Sequence, residues 1–201
     1  SDSVFEGYFN KPEASAEALE GGWLRTGDAG YLEDNGQLVV LGRVSEVMYT
    51  AGGERYVPNY IENRLKFSPY IKDAAVLGAG LDELTAMVCV DFEAVGHWAE
   101  VNGVPYVSYA KLLHQAFERV NKVVTEPLQL KRFVSLPKEF DPDDGEITRT
   151  RKLRRKVVQE RYADVIAALY DGSKEVHVSA QVTYETGEVG KVEKSLPIRE
   201  V

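Results

Sequence analysis

The sequence predicts an α+β fold, because strands and helices interleave without a strict strand–helix–strand rhythm. Three observations carry that expectation. Two glycine-tipped hairpins, at Asn35-Gly36 and Gly52-Gly53, break the first third of the chain. Two apolar, β-branched runs, at 73–78 and 85–91, read as buried strands. The segment 109–124 places Tyr109, Leu112, Leu113, Ala116, Phe117, Val120 and Val124 on one helical face.

Taken in order, residues 12–19 are rich in helix formers, with Pro12 at the start, where its missing N–H costs nothing, and Gly21-Gly22 as the stop. Residues 23–41 read as a hairpin turning at Asn35-Gly36 before the run Leu38-Val39-Val40-Leu41. This first piece is too small to bury both faces of its sheet, so it is expected to lie against something larger. Val47–Thr50 and Arg55–Val57 flank Ala51-Gly52-Gly53-Glu54 as a second hairpin. Pro58 opens a helix that stops before Pro69, with Ile61 and Leu65 four apart. Arg132–Leu136 is a strand, and 151–170 reads as one long helix with Leu153, Val157, Tyr162, Ile166 and Leu169 inward. In the tail, Val176, Val178, Ala180, Val182 and Tyr184 alternate, Thr186-Gly187 begins a turn region, and a last hairpin runs through Val192, Leu196 and Ile198.

Composition narrows the function. The 201 residues hold 24 Lys plus Arg against 32 Asp plus Glu, a net charge of −8 that disfavours a general nucleic-acid partner or an anionic membrane surface. The single cysteine, Cys89, lies in the apolar run 86–90 and excludes an internal disulfide and a cysteine-based zinc site. The longest stretch free of charge is ten residues, 101–110, far short of the roughly 20 that a membrane helix needs. The start, Ser1-Asp2-Ser3-Val4-Phe5-Glu6, lacks the features of a secretory leader, and the expectation is a reduced, cytoplasmic protein.

One charge reversal stands out. Residues 139–146 hold five acids and no base, whereas 148–161 hold Arg149, Arg151, Lys152, Arg154, Arg155, Lys156 and Arg161 against Glu160 alone. Bases crowded at a helix start suit an anionic ligand such as a phosphate or carboxylate. On charge alone a solvated face partly neutralised by the preceding acids is the favoured reading, and a nuclear-localisation or RNA patch is a third one that lacks interleaved aromatics. Other motifs fail. Asp141-Pro142-Asp143-Asp144-Gly145 resembles a calcium loop, but the glycine is one position early and Lys152 stands where a bidentate Glu belongs. Gly78-Ala79-Gly80 follows a strand, yet Glu83 replaces the third glycine of a dinucleotide loop. His97, His114 and His177 have no metal-ligand spacing, and no Ser/Thr/Gly-rich phosphate loop ending in Lys is present.

Three segments together say more. They are Gly22-Trp23-Leu24-Arg25-Thr26-Gly27-Asp28 with the following Gly42-Arg43, then residues 47–62, then Ile147-Thr148-Arg149-Thr150-Arg151-Lys152-Leu153-Arg154-Arg155. In order and spacing they resemble the carboxy-terminal motifs of the adenylate-forming superfamily: acyl-CoA synthetases, luciferases and peptide-synthetase adenylation domains. Residues 7–15 resemble the motif just upstream, and the nearest resemblance is to bacterial long-chain fatty-acid–CoA ligases. It covers essentially the whole chain.

The resemblance implies a fragment of a larger enzyme. Residues 1–42 would end the large amino-terminal domain and 43–46 would be a hinge. Residues 47–173 would form a small mobile lid, a short sheet flanked by helices, and 174–201 a β-hairpin extension. The whole enzyme would use ATP, CoA and a fatty acid, with Mg²⁺ bound in the amino-terminal domain, and the fragment alone would be inactive. Asp28 matches the aspartate that accepts both ribose hydroxyls of ATP, and a carboxylate suits two donors. Arg43 matches an arginine near ribose and phosphate, and Arg55 one near the nucleotide phosphate. Lys152 matches the lysine that reaches the acyl carboxylate and α-phosphate, where a cation stabilises developing charge. Gly53, with Gly52, matches the glycines that let the pantetheine arm of CoA pass.

Ser45 departs from the family, which usually places Asp or Lys at that hinge position. The stretch 109–115 looks shorter than in long-chain relatives. The tail after Gly172 is longer than in many, and its edge could pair with a second copy. The runner-up readings are an adenylate-forming ligase with an aryl acid or a carrier-protein acceptor, and a stand-alone anion-binding or interaction module. A membrane association of the whole enzyme stays open without any transmembrane segment.

Overall fold

The computed structural model describes residues 4–183 and 189–201. It divides into two compact units, 1–47 and 48–201.

In the first unit, α1 (Pro12–Ala18) has Pro at its first turn and leads into a small antiparallel pair, β1 (Leu19–Glu20) with β2 (Trp23–Leu24). The strands β3 (Asp28–Leu32) and β4 (Leu38–Arg43) form the expected hairpin. Its turn is closed by Gly36 N–H on Glu33 C=O at 2.8 Å, with Gly36 at φ 82°. That left-handed backbone is the reason for the Asn-Gly pair. Leu32, Leu38 and Val40 are exposed. A single 3₁₀ turn, Val44–Glu46, follows.

The second unit opens with the hairpin β5 (Met48–Tyr49) and β6 (Arg55–Tyr56), then α2 (Pro58–Leu65). Its centre is a five-stranded sheet built from β7 (Ile71–Leu77), β8 (Leu84–Val90), β9 (Leu130–Leu136), β10 (Glu175–Thr183) and β11 (Val189–Glu200). The strand order is β10-β11-β9-β8-β7. Only β8 and β9 run parallel, because α3 (Phe92–Asn102) and α4 (Tyr109–Asn121) make the crossover between them. After β9 come α5 (Arg155–Arg161) and α6 (Ala163–Tyr170).

Strand alternation divides the core in two. One face of the sheet presents Ala74, Val76, Leu84, Ala86, Val88, Val90 and Phe133 to Ile61 and Leu65 of α2 and to Leu113, Ala116, Phe117 and Val120 of α4. Phe117 stacks on Phe133 with ring centroids 4.1 Å apart. The other face presents Ala75, Leu77, Met87, Cys89, Val134 and Leu136 to Phe140, Ile147 and Val158, and to Val165, Ala168 and Leu169 of α6.

The structure departs from the sequence reading in three places. The helix over 151–170 is two helices broken at Tyr162, and it begins at Arg155. Residues 151–154 are not helical: Arg151 has φ 59° and Leu153 bridges back to Ile147. Second, Phe92–Asn102 is a helix without an apolar stripe in its sequence, since it buries only Val95 and Ala99. Third, the tail is one antiparallel hairpin, β10 with β11, as the expected β-hairpin extension; Val192, Leu196 and Ile198 lie on its second strand, not in a further hairpin, and the end of that strand pairs with β9. Tyr184 and the turn at Thr186-Gly187 lie outside the described residues.

Candidate functional site

The singled-out residues fall on three short segments. Asp28 and Arg43 face each other as the rung at the open end of the β3–β4 hairpin. Arg43 donates from Nη1 to Asp28 Oδ1 at 2.7 Å and to the Thr26 carbonyl at 3.1 Å. That hydrogen bond holds the Asp28 carboxyl below its usual range. Both side chains remain exposed, so the pair stands ready for polar ligands. Ser45 lies in the 3₁₀ turn next to the division between the two units.

Gly52, Gly53 and Arg55 sit on the β5–β6 hairpin, whose stem is anchored at both ends. Gly53 N–H donates to Thr50 C=O at 3.1 Å, and Glu54 N–H donates to the Thr50 hydroxyl at 3.2 Å. The same hydroxyl donates to the Glu54 carboxylate and holds its pKa down. Outside the hairpin, Ala51 N–H reaches Leu81 C=O at 2.9 Å and Gly80 N–H reaches Tyr49 C=O at 2.8 Å. Gly53 has φ 87°, and a β-carbon there would meet nothing within 4 Å. Its glycine is needed for the backbone, and the space above it is open. Arg55 is exposed, and among the described residues its side chain makes no hydrogen bond or ion pair.

Lys152 rides on a tight turn. Thr148 N–H donates to Lys152 C=O at 2.8 Å, Lys152 N–H donates to the Thr148 hydroxyl at 3.0 Å, and Arg151 N–H donates to Thr148 C=O at 2.9 Å. Arg151 takes the left-handed conformation that this turn requires, at a cost of about 1–2 kcal/mol for a residue with a β-carbon. Arg149, Arg151 and Lys152 thus lie on a turn ahead of α5, whereas Arg154 is the N-cap of that helix and Arg155 and Lys156 open it, as the sequence predicts.

The charge reversal resolves into pairs. Arg151 meets Asp73 at 2.5 Å, Arg155 meets Glu62 at 2.7 Å, and Lys156 meets Glu160 at 4.0 Å. Arg161 bridges Asp144 at 2.9 Å and the buried Glu146 at 3.1 Å. Glu146 also accepts the Tyr162 hydroxyl at 3.0 Å and Asp141 N–H at 2.9 Å. Burial, then the Glu146 charge, drives the Tyr162 hydroxyl far above its ordinary range. Among the described residues this leaves Arg149, Lys152 and Arg154 as the cations of this run without an ion-pair partner.

Three buried acids escaped sequence reasoning: Glu62, Asp73 and Glu146. Asp73 alone carried a signal, as an acid within the apolar strand 71–77, where an unpaired carboxylate is costly.

The second unit is thus a small α+β domain, a mixed sheet covered by helices on both faces, opened by a glycine hairpin and carrying the Lys152 turn. The chain belongs to the family described as the AMP-binding enzyme C-terminal domain, whose model matches residues 45–174. It is 34% identical over 178 residues to the long-chain-fatty-acid–CoA ligase FadD15 of Mycobacterium tuberculosis, with 84% of this chain and 30% of that protein covered. It is 30% identical over 201 residues to the long-chain-fatty-acid–CoA ligase ACSBG1 of Rattus norvegicus, with 86% and 28% covered. Among solved structures, the adenylation domain of a carboxylate reductase from Mycobacterium chelonae superposes with a TM-score of 0.60 at 26% identity, covering 83% of this chain and 26% of that one. The chain thus spans about 30% of the length of the curated relatives it matches. Among the described residues, no helix is long and apolar enough to cross a membrane.

Proposed function

We propose that this chain is the end of the large domain (1–42), the hinge (43–46), the lid (47–173) and a β-hairpin extension (174–201) of an ATP-dependent long-chain acyl-CoA synthetase acting in the cytoplasm. The observation that carries the proposal is the Lys152 turn: its ammonium is unpaired while its neighbours Arg151 and Arg155 are each committed to a carboxylate. A free point cation on a preorganised turn is suited to two anions brought together, the fatty-acid carboxylate and the α-phosphate of ATP. Asp28 accepts the ribose hydroxyls, Arg43 orients that carboxylate, and Arg55 meets the nucleotide phosphate. After pyrophosphate leaves, the lid turns about Ser45, Lys152 withdraws, and the Gly52-Gly53 tip admits the pantetheine arm so that the CoA thiol attacks the acyl-adenylate. The Mg²⁺ that accompanies ATP belongs, in this reading, to the large amino-terminal domain; among the described residues no group of three or more His, Cys, Asp or Glu could hold a metal ion.

In the whole ligase, Lys152→Ala is expected to slow adenylation about 10²–10³-fold. Thioester formation from supplied acyl-adenylate is expected to stay near the parent rate. Equal loss in both half-reactions counts against the assignment, and thioester synthesis by this chain alone would contradict its role as a lid. An adenylate-forming enzyme with another acid or acceptor is the second reading, favoured by the likeness to a carboxylate reductase adenylation domain. A panel of acids, with and without CoA, separates the two.

A further inference from the structure

We propose that Arg151 and Arg155 are positioning residues for Lys152, clamping its turn to one strand, β7, from both sides. The inference rests on the role given to Lys152 above.

The two clamps use different chemistry on the same strand. Asp73, near the start of β7, has a side chain only 8% exposed and takes the Arg151 guanidinium at 2.5 Å. Three residues on, Arg155 donates from Nη1 to Val76 C=O at 2.9 Å. Its Nη2 donates to Glu62 Oε1 at 2.7 Å, and the same Glu62 oxygen accepts Val76 N–H at 2.8 Å. The Glu62–Arg155 pair thus satisfies both backbone groups of Val76 on β7, the outermost strand of the sheet at that end. It takes the place of a neighbouring strand there.

Lys152 lies between the two anchors. Its main chain is held by Thr148, and its side chain has no carboxylate partner among the described residues. The acids closest to it in sequence are engaged elsewhere: Asp144 and Glu146 by Lys138 and Arg161, and Glu160 by Lys156. The clamps therefore do two things. They fix where the turn projects, and they occupy the buried carboxylates that would otherwise attract the lysine. Glu62 belongs to α2, directly after the Gly52-Gly53 hairpin, so the Arg155 clamp also ties the lysine turn to the element behind the glycine tip.

The test uses the whole ligase. Adenylation is read by fatty-acid-dependent exchange of labelled pyrophosphate into ATP, and thioester formation by adding acyl-adenylate and CoA. Asp73→Asn and Arg151→Gln are each expected to lower the kcat of adenylation about 10–100-fold, as misplacement of a reacting group does. KM for ATP and thioester formation should stay within about twofold of the parent. Arg151→Lys, which keeps the ion pair, should recover most of the rate. A role in stability alone lowers both half-reactions together, and that result overturns the proposal. So does full adenylation in both variants while Lys152→Ala is impaired. If Lys152→Ala itself adenylates normally, the assignment of Lys152 fails, and the clamps have nothing to position. Limited trypsin digestion of the present chain gives a readout independent of activity. Cleavage after Arg151 and Lys152 should be faster in Asp73→Asn than in the parent, and an unchanged rate overturns the clamp.

Discussion

Arg43 donates to the carboxylate of Asp28 at 2.7 Å, although the two are 15 residues apart and both are exposed. The β3–β4 ladder makes this possible by placing them as opposed residues at the open end of the hairpin. Two side chains that sequence motifs assigned separately to a nucleotide are one structural unit.

The first prediction concerns the titration of Asp28. The Arg43 hydrogen bond lowers its pKa in the folded state. A depressed carboxyl contributes stability above its unfolded pKa and loses it as the pH falls through the folded value. Arg43→Ala should return the Asp28 midpoint toward the ordinary range, as followed by NMR of the side-chain carboxyl. An unmoved midpoint would show that Arg43 does not govern the charge of Asp28.

At the hairpin tip, Gly53→Ala places a β-carbon on a backbone at φ 87° with nothing within 4 Å of it. The cost is conformational, about 1–2 kcal/mol by urea unfolding. In the whole ligase the same variant should slow thioester formation more than adenylation. A variant that slows only adenylation removes the pantetheine role from this glycine.

Glu62 is buried, and burial pushes its carboxyl up against the opposing pull of Arg155. Removing it leaves the Arg155 charge and Val76 N–H without their acceptor. Glu62→Ala should therefore cost about 3–5 kcal/mol in urea unfolding, and Glu62→Gln less, because it keeps an acceptor. A Glu62→Ala protein within about 0.5 kcal/mol of the parent would mean the pair holds nothing.

Cys89 lies within the core, where burial raises its thiol far above the ordinary range. The native protein should resist alkylation at neutral pH, and labelling should rise together with the unfolding transition. Rapid labelling in the absence of denaturant, seen by mass spectrometry, would place the thiol outside the core.

Much of this architecture was legible from local chemistry. The stripe on α4 announced itself because its burial follows the helical period, and β7 and β8 did so as short, continuous apolar runs because both of their faces are buried. Helix α3 did not, since only Val95 and Ala99 are buried. Its ends were nevertheless written in the sequence: Asp91 caps Ala94 N–H at 2.9 Å, and Gly103 is left-handed at φ 61°. The basic run misled for a different reason. A count along the chain registers Arg151 and Arg155 as surplus charge, but their partners stand 78 and 93 residues away. No window over neighbouring residues contains them. The break at Tyr162 was equally hidden, since the hydroxyl that reaches Glu146 is 16 residues from its acceptor.

The distant anchoring of the lysine turn limits how far it can be moved. An engineer who grafted residues 147–155 onto another scaffold would carry the lysine and both arginines, but would leave Asp73, Glu62 and the outer strand behind. The transplanted arginines would then be free to compete with the lysine for whatever acids the new host supplies. The transferable module is the loop together with β7 and the first turns of α2, three segments that no contiguous stretch of sequence contains.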